Sequence, residues 1–168
     1  MINEIPEQFV EGINEAAEQS NEDALAITQF AGIGIRYIPF LSYLLTKLEI
    51  MLTFGDIPPN IKLDVQISSD YGDKPSDIEL SSASFTPKKV YGDWNAITLK
   101  PVSLVKHSTY WLIINPNRCP TALIKARMRR NTCTFYVKRG ERWTTPPAEF
   151  QDGSVMVKFY GKIIPVSY

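Results

Sequence analysis

Five consecutive residues, Tyr110-Trp111-Leu112-Ile113-Ile114, are large and apolar, and a strand of that composition has to be covered on both faces. It must therefore be a central strand in a layered sheet. A second strand over residues 94–99 precedes it, with Ile97 and Leu99 on one face and Pro101 at its end. Lys106-His107-Ser108 is the polar approach to the central strand. The stretch from 92 to 116 is thus expected to organise the rest of the chain.

Period-two alternation extends the pattern in both directions. In 43–53, Leu44, Leu48, Ile50 and Leu52 share one face and Lys47, Glu49 and Met51 the other; in 61–69, Ile61, Leu63, Val65 and Ile67 oppose Lys62, Asp64 and Gln66. These two segments read as antiparallel strands of one half-buried sheet. In 30–37, Gly32 and Gly34 alternate with Ile33 and Ile35, which predicts a strand with a bend or a close backbone approach. Gly-Ile-Gly here is not a phosphate loop, because the third Gly and the following helix are missing. Residues 78–85 are Ser-rich and suit an edge strand. Segments 122–128 and 132–138 read as a hairpin turning near Arg129-Arg130, residues 139–151 as an irregular excursion, and Val155, Val157 and Phe159 as the last inward face. The 168 residues suit one main domain. The fold class is all-β, a jelly-roll-like antiparallel β-sandwich of about nine or ten strands with a short N-terminal helical or flexible arm. The arm is assigned to residues 1–27 and the sandwich to 28–168.

Net charge is zero, but its distribution is uneven. Before Thr28 the charged residues are Glu4, Glu7, Glu11, Glu15, Glu18, Glu22 and Asp23, all acidic. Ile5, Phe9 and Ile13 recur at helical spacing, so residues 6–19 fit a short amphipathic helix in need of a docking surface, or a disordered acidic leader. Between Arg118 and Arg142 the balance reverses. Lys125, Arg127, Arg129, Arg130, Tyr136, Lys138, Arg142 and Trp143 form the candidate ligand or partner face, since guanidinium groups beside aromatic rings hold phosphates, acidic sugars or acidic protein surfaces. Phe9, Val10 and Ile13 form the candidate assembly arm, docking on the basic face of another copy.

Other chemistries find less support. His107, the sole histidine, lies in a polar turn and is expected to be exposed and non-catalytic. Asp70, Asp73 and Asp77 are calcium candidates only weakly, because Asp is equally at home in turns. Cys119 and Cys133 make neither a metal motif nor, by their spacing across the expected hairpin, a disulfide. No cofactor is expected, nucleic acid is disfavoured for want of any recognition motif, and membrane insertion is not expected because no apolar run is long enough to span a bilayer. The start MINEIPEQF lacks the features of a secretory signal, which predicts synthesis in the cytoplasm.

The order of motifs YIPFLSYLLTKLEIMLTFGDIPPNIKLDVQISSDYGDKPSDIELSSASF, WNAITLKPVSLVKHSTYWLII and SVMVKFYG resembles the choice-of-anchor R type domain across residues 29–161. Leu44-Leu45-Thr46-Lys47-Leu48-Glu49, Gly72-Asp73-Lys74-Pro75, Pro101-Val102-Ser103-Leu104 and Tyr110-Trp111 carry the likeness. The resemblance implies a β-sandwich of surface or secreted proteins, similar in pattern to carbohydrate-binding sandwiches. A surface-type sandwich without an export signal fits a non-enzymatic subunit of a virion (capsid, tail or fibre) or other extracellular assembly, partnered by its own copies or other subunits. The alternative is a carbohydrate-binding or adhesion module that meets surface glycans.

Overall fold

The computed structural model describes residues 5–13, 24–26, 31–54, 62–87, 93–115, 124–130, 135–146 and 153–163. Among them there are thirteen strands and no helix: β1 (Gln8–Ile13), β2 (Ala24–Ala26), β3 (Gly32–Tyr37), β4 (Tyr43–Phe54), β5 (Leu63–Asp70), β6 (Pro75–Phe85), β7 (Asp93–Leu104), β8 (Tyr110–Asn115), β9 (Ile124–Arg130), β10 (Phe135–Arg139), β11 (Arg142–Thr144), β12 (Gly153–Val155) and β13 (Val157–Lys162). They form two antiparallel sheets. Sheet one runs β1-β13-β4-β9-β12, with β7 on β4 and β2 on β9; sheet two runs β11-β10-β3-β8-β5-β6. The apolar strand β8 is central, as its composition requires. Tyr110, Leu112 and Ile114 join the core between the sheets. Trp111 and Ile113, on the opposite face of the pleat, are buried as well.

Eight of these strands form the framework: β1, β3, β4, β5, β6, β7, β8 and β13. Numbered along the chain, they lie first-eighth-third-sixth in sheet one and second-seventh-fourth-fifth in sheet two. This is the jelly-roll arrangement of two interlocked Greek keys. Every framework connection but one therefore changes sheets. The exception is β5–β6, where Gly72 and Asp73 at φ 59° and 62° form a two-residue turn closed by paired Tyr71 and Lys74 backbones, as a tight type I′ hairpin needs.

Two expected pairings are corrected by this topology. Segments 43–53 and 61–69 lie in different sheets. The supposed hairpin of 122–128 and 132–138 also divides: β9 pairs with β4, β2 and β12, while β10 pairs with β3 and β11. Alternation identifies a strand with one apolar face, but either sheet can cover that face. Cys119 and Cys133 lie outside the described residues.

Bulges also move one residue of the expected core. Leu48, Ile50 and Leu52 point inward as read, yet it is Leu45, and not Leu44, that is fully buried beside them. The pairing of β4 with β7 shifts between Leu45 and Lys47, and that with β13 shifts between Tyr160 and Gly161. One extra residue there reverses the alternation.

The arm is corrected in the same way: residues 8–13 form a strand of their own sheet, antiparallel to β13, in place of a helix. Val10 and Ile13 pack against the core, and the Phe9 ring meets Tyr160 edge-on at 5.7 Å. A register shift between Phe9 and Glu11 lets residues three apart face the core, which imitates helical spacing. The two described acids of the arm, Glu7 and Glu11, are occupied within the chain as well. Glu7 accepts a hydrogen bond from Thr46 and lies 3.6 Å from Lys47 Nζ. Residues 14–19 of the expected helix lie outside the described residues.

Glu11 closes a buried relay. The Tyr37 hydroxyl donates to Glu11 Oε1 at 2.5 Å and sits 2.5 Å from the Tyr43 hydroxyl, while the Tyr37 ring stacks on Phe159 at 3.8 Å. Burial, the neighbouring phenol and the Glu11 carboxylate push the Tyr37 phenol far above its ordinary range, and burial chiefly raises Tyr43. Both stay protonated in the fold, whereas in the unfolded chain they ionise near pH 10. Raised folded values mean that their contribution to stability is complete below about pH 10 and declines above it, by roughly 1 kcal/mol per pH unit for each phenol. Urea unfolding between pH 9 and 11 is expected to show this fall, with Tyr37→Phe giving a shallower slope. Equal slopes would remove the relay from the account.

Candidate functional site

The residues between β8 and β13 are an insertion into the framework, and the described part extends both sheets. Its hairpin, β10–β11, turns through Gly140-Glu141, with Gly140 at φ 62°; Gly at the first turn position suits a type II′ hairpin. Arg139-Gly140-Glu141-Arg142 was thus the signal for a hairpin where the sequence reads as irregular. The hairpin pairs Lys138 with Trp143 and so sets Trp143 on the outer face of sheet two.

That face has been cleared for the indole. A Cβ on Gly34 would stand 3.1 Å from Trp143 Cζ3 and 3.0 Å from Pro75 Cγ, and one on Gly32 would stand 2.7 Å from Asn115 Oδ1 and 3.5 Å from Trp143 Cη2. The expected close approach at the two glycines is therefore the approach of a tryptophan. Beside it is an open groove of about 140 Å³ lined by Gln66 (β5), Ser76 and Asp77 (β6), Ile113 and Asn115 (β8), Lys138 (β10) and Trp143 (β11). Ile113 is its buried apolar floor. Around the floor stand two primary amides, a hydroxyl, a carboxylate and an ammonium, with a half-buried aromatic ring on one side. The Lys138 ammonium lies 5.7 Å from the Trp143 ring centre, within cation–π range.

The structure brings together part of the predicted face. Lys138 and Trp143 line the groove, and Tyr136 lies next to them, stacked on the buried Trp111 at 5.5 Å. Arg142 is exposed at the hairpin. Lys125, Arg127, Arg129 and Arg130 are on β9 in the other sheet, so the eight residues do not form one continuous row; the side chains of these four lie outside those described. Gln66, Ser76, Ile113 and Asn115 were not singled out from the sequence. Their signal is weak: Asn115 ends an apolar run, and Gln66 is one outward polar residue among several.

The three aspartates have separate duties. Asp70 accepts the Trp111 indole N–H at 2.7 Å, Asp73 pairs with Arg36 at 2.9 Å, and Asp77 faces the groove. Among the described residues, no three acidic, histidine or cysteine side chains gather as a metal-holding group. His107 is exposed in the β7–β8 turn at φ 65°, its N–H donating to the Pro39 carbonyl at 2.9 Å. Among the described residues, no helix is long and apolar enough to cross a membrane. No protein-family model, no curated protein and no solved structure matches this chain.

Proposed function

We propose that this protein is a non-enzymatic jelly roll that recognises a glycan through the groove on the outer face of sheet two, serving attachment as a subunit of a virion or other extracellular assembly. The observation that carries the reading is the set of groups around Ile113. Sugars offer apolar C–H faces ringed by hydroxyls. An aromatic ring takes such a face, and Gln66, Asn115, Asp77 and Ser76 offer the donors and acceptors that hydroxyls need. The volume is below the roughly 300–1,000 Å³ of pockets that enclose drug-sized ligands, which suits one sugar ring resting in an open groove. Asp77 is the one carboxylate among the lining residues, whereas the usual glycosidase mechanism takes a pair. The likeness to carbohydrate-binding sandwiches points the same way.

A glycan array with the purified chain tests this directly. Binding of a defined sugar is expected, and Trp143→Ala should weaken it about thirtyfold, the effect of losing an aromatic anchor worth roughly 2 kcal/mol. Gly34→Val, which displaces the indole, should do the same while Arg142→Ala changes little. A blank array, or full binding by Trp143→Ala, would refute the assignment.

A further inference from the structure

We infer that the groove on the outer face of sheet two selects N-acylated amino sugars of no net charge, a reading that deepens the glycan assignment and rests on it. The groups able to meet a ligand divide by chemistry across the groove. On the β5–β6 side, Gln66 donates an amide N–H to Ser68 Oγ at 2.9 Å and keeps its carbonyl oxygen. Asp77 has neither an ion pair nor a hydrogen bond among the described residues. Ser76 is already engaged, by Ser69 Oγ at 2.6 Å and by the Ile78 N–H at 3.1 Å. This side therefore offers acceptors. On the other side, Lys138 has no ion pair among the described residues, and its ammonium lies 5.7 Å from the Trp143 ring centre. Lys138 is the strand partner of Gly32, and Asn115 Oδ1 lies 2.7 Å from where a Cβ on Gly32 would stand, which sets the Asn115 amide beside the lysine. This side offers donors, an ammonium and an amide NH₂.

A ligand that fits must donate to one side and accept from the other, across the buried apolar floor of Ile113. A sugar hydroxyl serves one side at a time and, set over Ile113, gives up hydration without a partner. A trans secondary amide does otherwise. Its N–H and C=O point in opposite directions from one rigid plane, and the acyl methyl next to them is apolar. Laid over Ile113, such a group directs its N–H to Asp77 or Gln66 Oε1 and its C=O to Lys138 or Asn115, while the ring that carries it places a C–H face on Trp143. Charge narrows the class further. Asp77 and Lys138 are the charged lining residues and cancel, so a uronic acid is attracted by one and repelled by the other, and a free amino sugar meets the reverse. A neutral N-acyl sugar is repelled by neither.

The test is titration of the full chain with N-acetylglucosamine and N-acetylgalactosamine against glucose, galactose, glucosamine and glucuronic acid, followed by ligand-observed NMR. At least one N-acetyl sugar is expected to bind about tenfold tighter than its parent hexose, roughly the effect of one buried methyl and one added hydrogen bond, and tighter than the amine or the acid. Asp77→Asn and Lys138→Met should each weaken that binding about fivefold with thermal unfolding unchanged. In addition, Asp77→Asn should strengthen binding of glucuronic acid and Lys138→Met that of glucosamine, a reversal that a merely structural loss would not produce. Equal binding of the N-acetyl sugars and their parent hexoses, or tighter binding of the uronic acid, would overturn the selection and leave the glycan reading standing. Binding of none of the sugars would overturn both. Binding of N-acetylglycine methylamide as tight as that of the N-acetyl sugars would also overturn the proposal and assign the groove to peptide amides.

Discussion

Trp111→Ala is expected to lower stability by about 3–5 kcal/mol, in the range of large aromatic truncations at packed positions. The indole is 0% exposed although it points away from the space between the sheets. Tyr136 stacks on it at 5.5 Å and Asp70 accepts its N–H at 2.7 Å. Truncation would open a cavity beneath Tyr136 and leave Asp70 Oδ1, at the β5–β6 turn, without the indole donor. Trp111→Phe would keep much of the packing and lose the hydrogen bond, so it should fall between the two. Urea denaturation of the three proteins checks the order, and an unchanged midpoint for Trp111→Ala would show that the outer face of sheet two contributes nothing to stability.

Gly161→Ala is expected to cost about 3 kcal/mol, the upper part of the range for overpacking. A Cβ there would stand 2.2 Å from the Leu44 carbonyl oxygen and 2.6 Å from Tyr43 Cδ2. Neither neighbour can give way cheaply: one is strand backbone and the other is a buried ring held by the Tyr37 hydroxyl. Gly32→Ala is the comparison, since its nearest obstacle at 2.7 Å is the end of the Asn115 side chain, which can rotate. Its cost should stay under about 1 kcal/mol. If both variants melted alike, the bulge at Tyr160/Gly161 would not be the constraint described.

The strands were legible where a single face is apolar. Leu63, Val65 and Ile67, or Phe135 and Val137, declare their burial by alternation alone, and the central place of β8 follows from its composition. Partner choice was not legible, because in a jelly roll the next strand in the chain usually joins the opposite sheet. Strand β1 was obscured by its own bulge, which places Val10 and Ile13 at an interval that a helix would also produce. Of the candidate site, Lys138 and Trp143 could be named from charge and aromatic content. The groove itself depends on Gln66, Asp77 and Asn115 meeting across strands far apart in sequence, and one chain contains no local sign of such a meeting.

The place of β1 also bears on the order in which the chain can acquire its structure. Its pairing partner is β13, which lies between β1 and β4 and is the last described strand. During synthesis strand β1 therefore emerges without its edge, and it must wait unpaired until residues 157–162 have left the ribosome. Closing so long a loop before any contact repays it places this step late and makes it slow. Until then the hydroxyl of Tyr37 lacks Glu11, the Phe159 ring has yet to arrive, and the open flank of β4 is a strand edge available to other nascent chains.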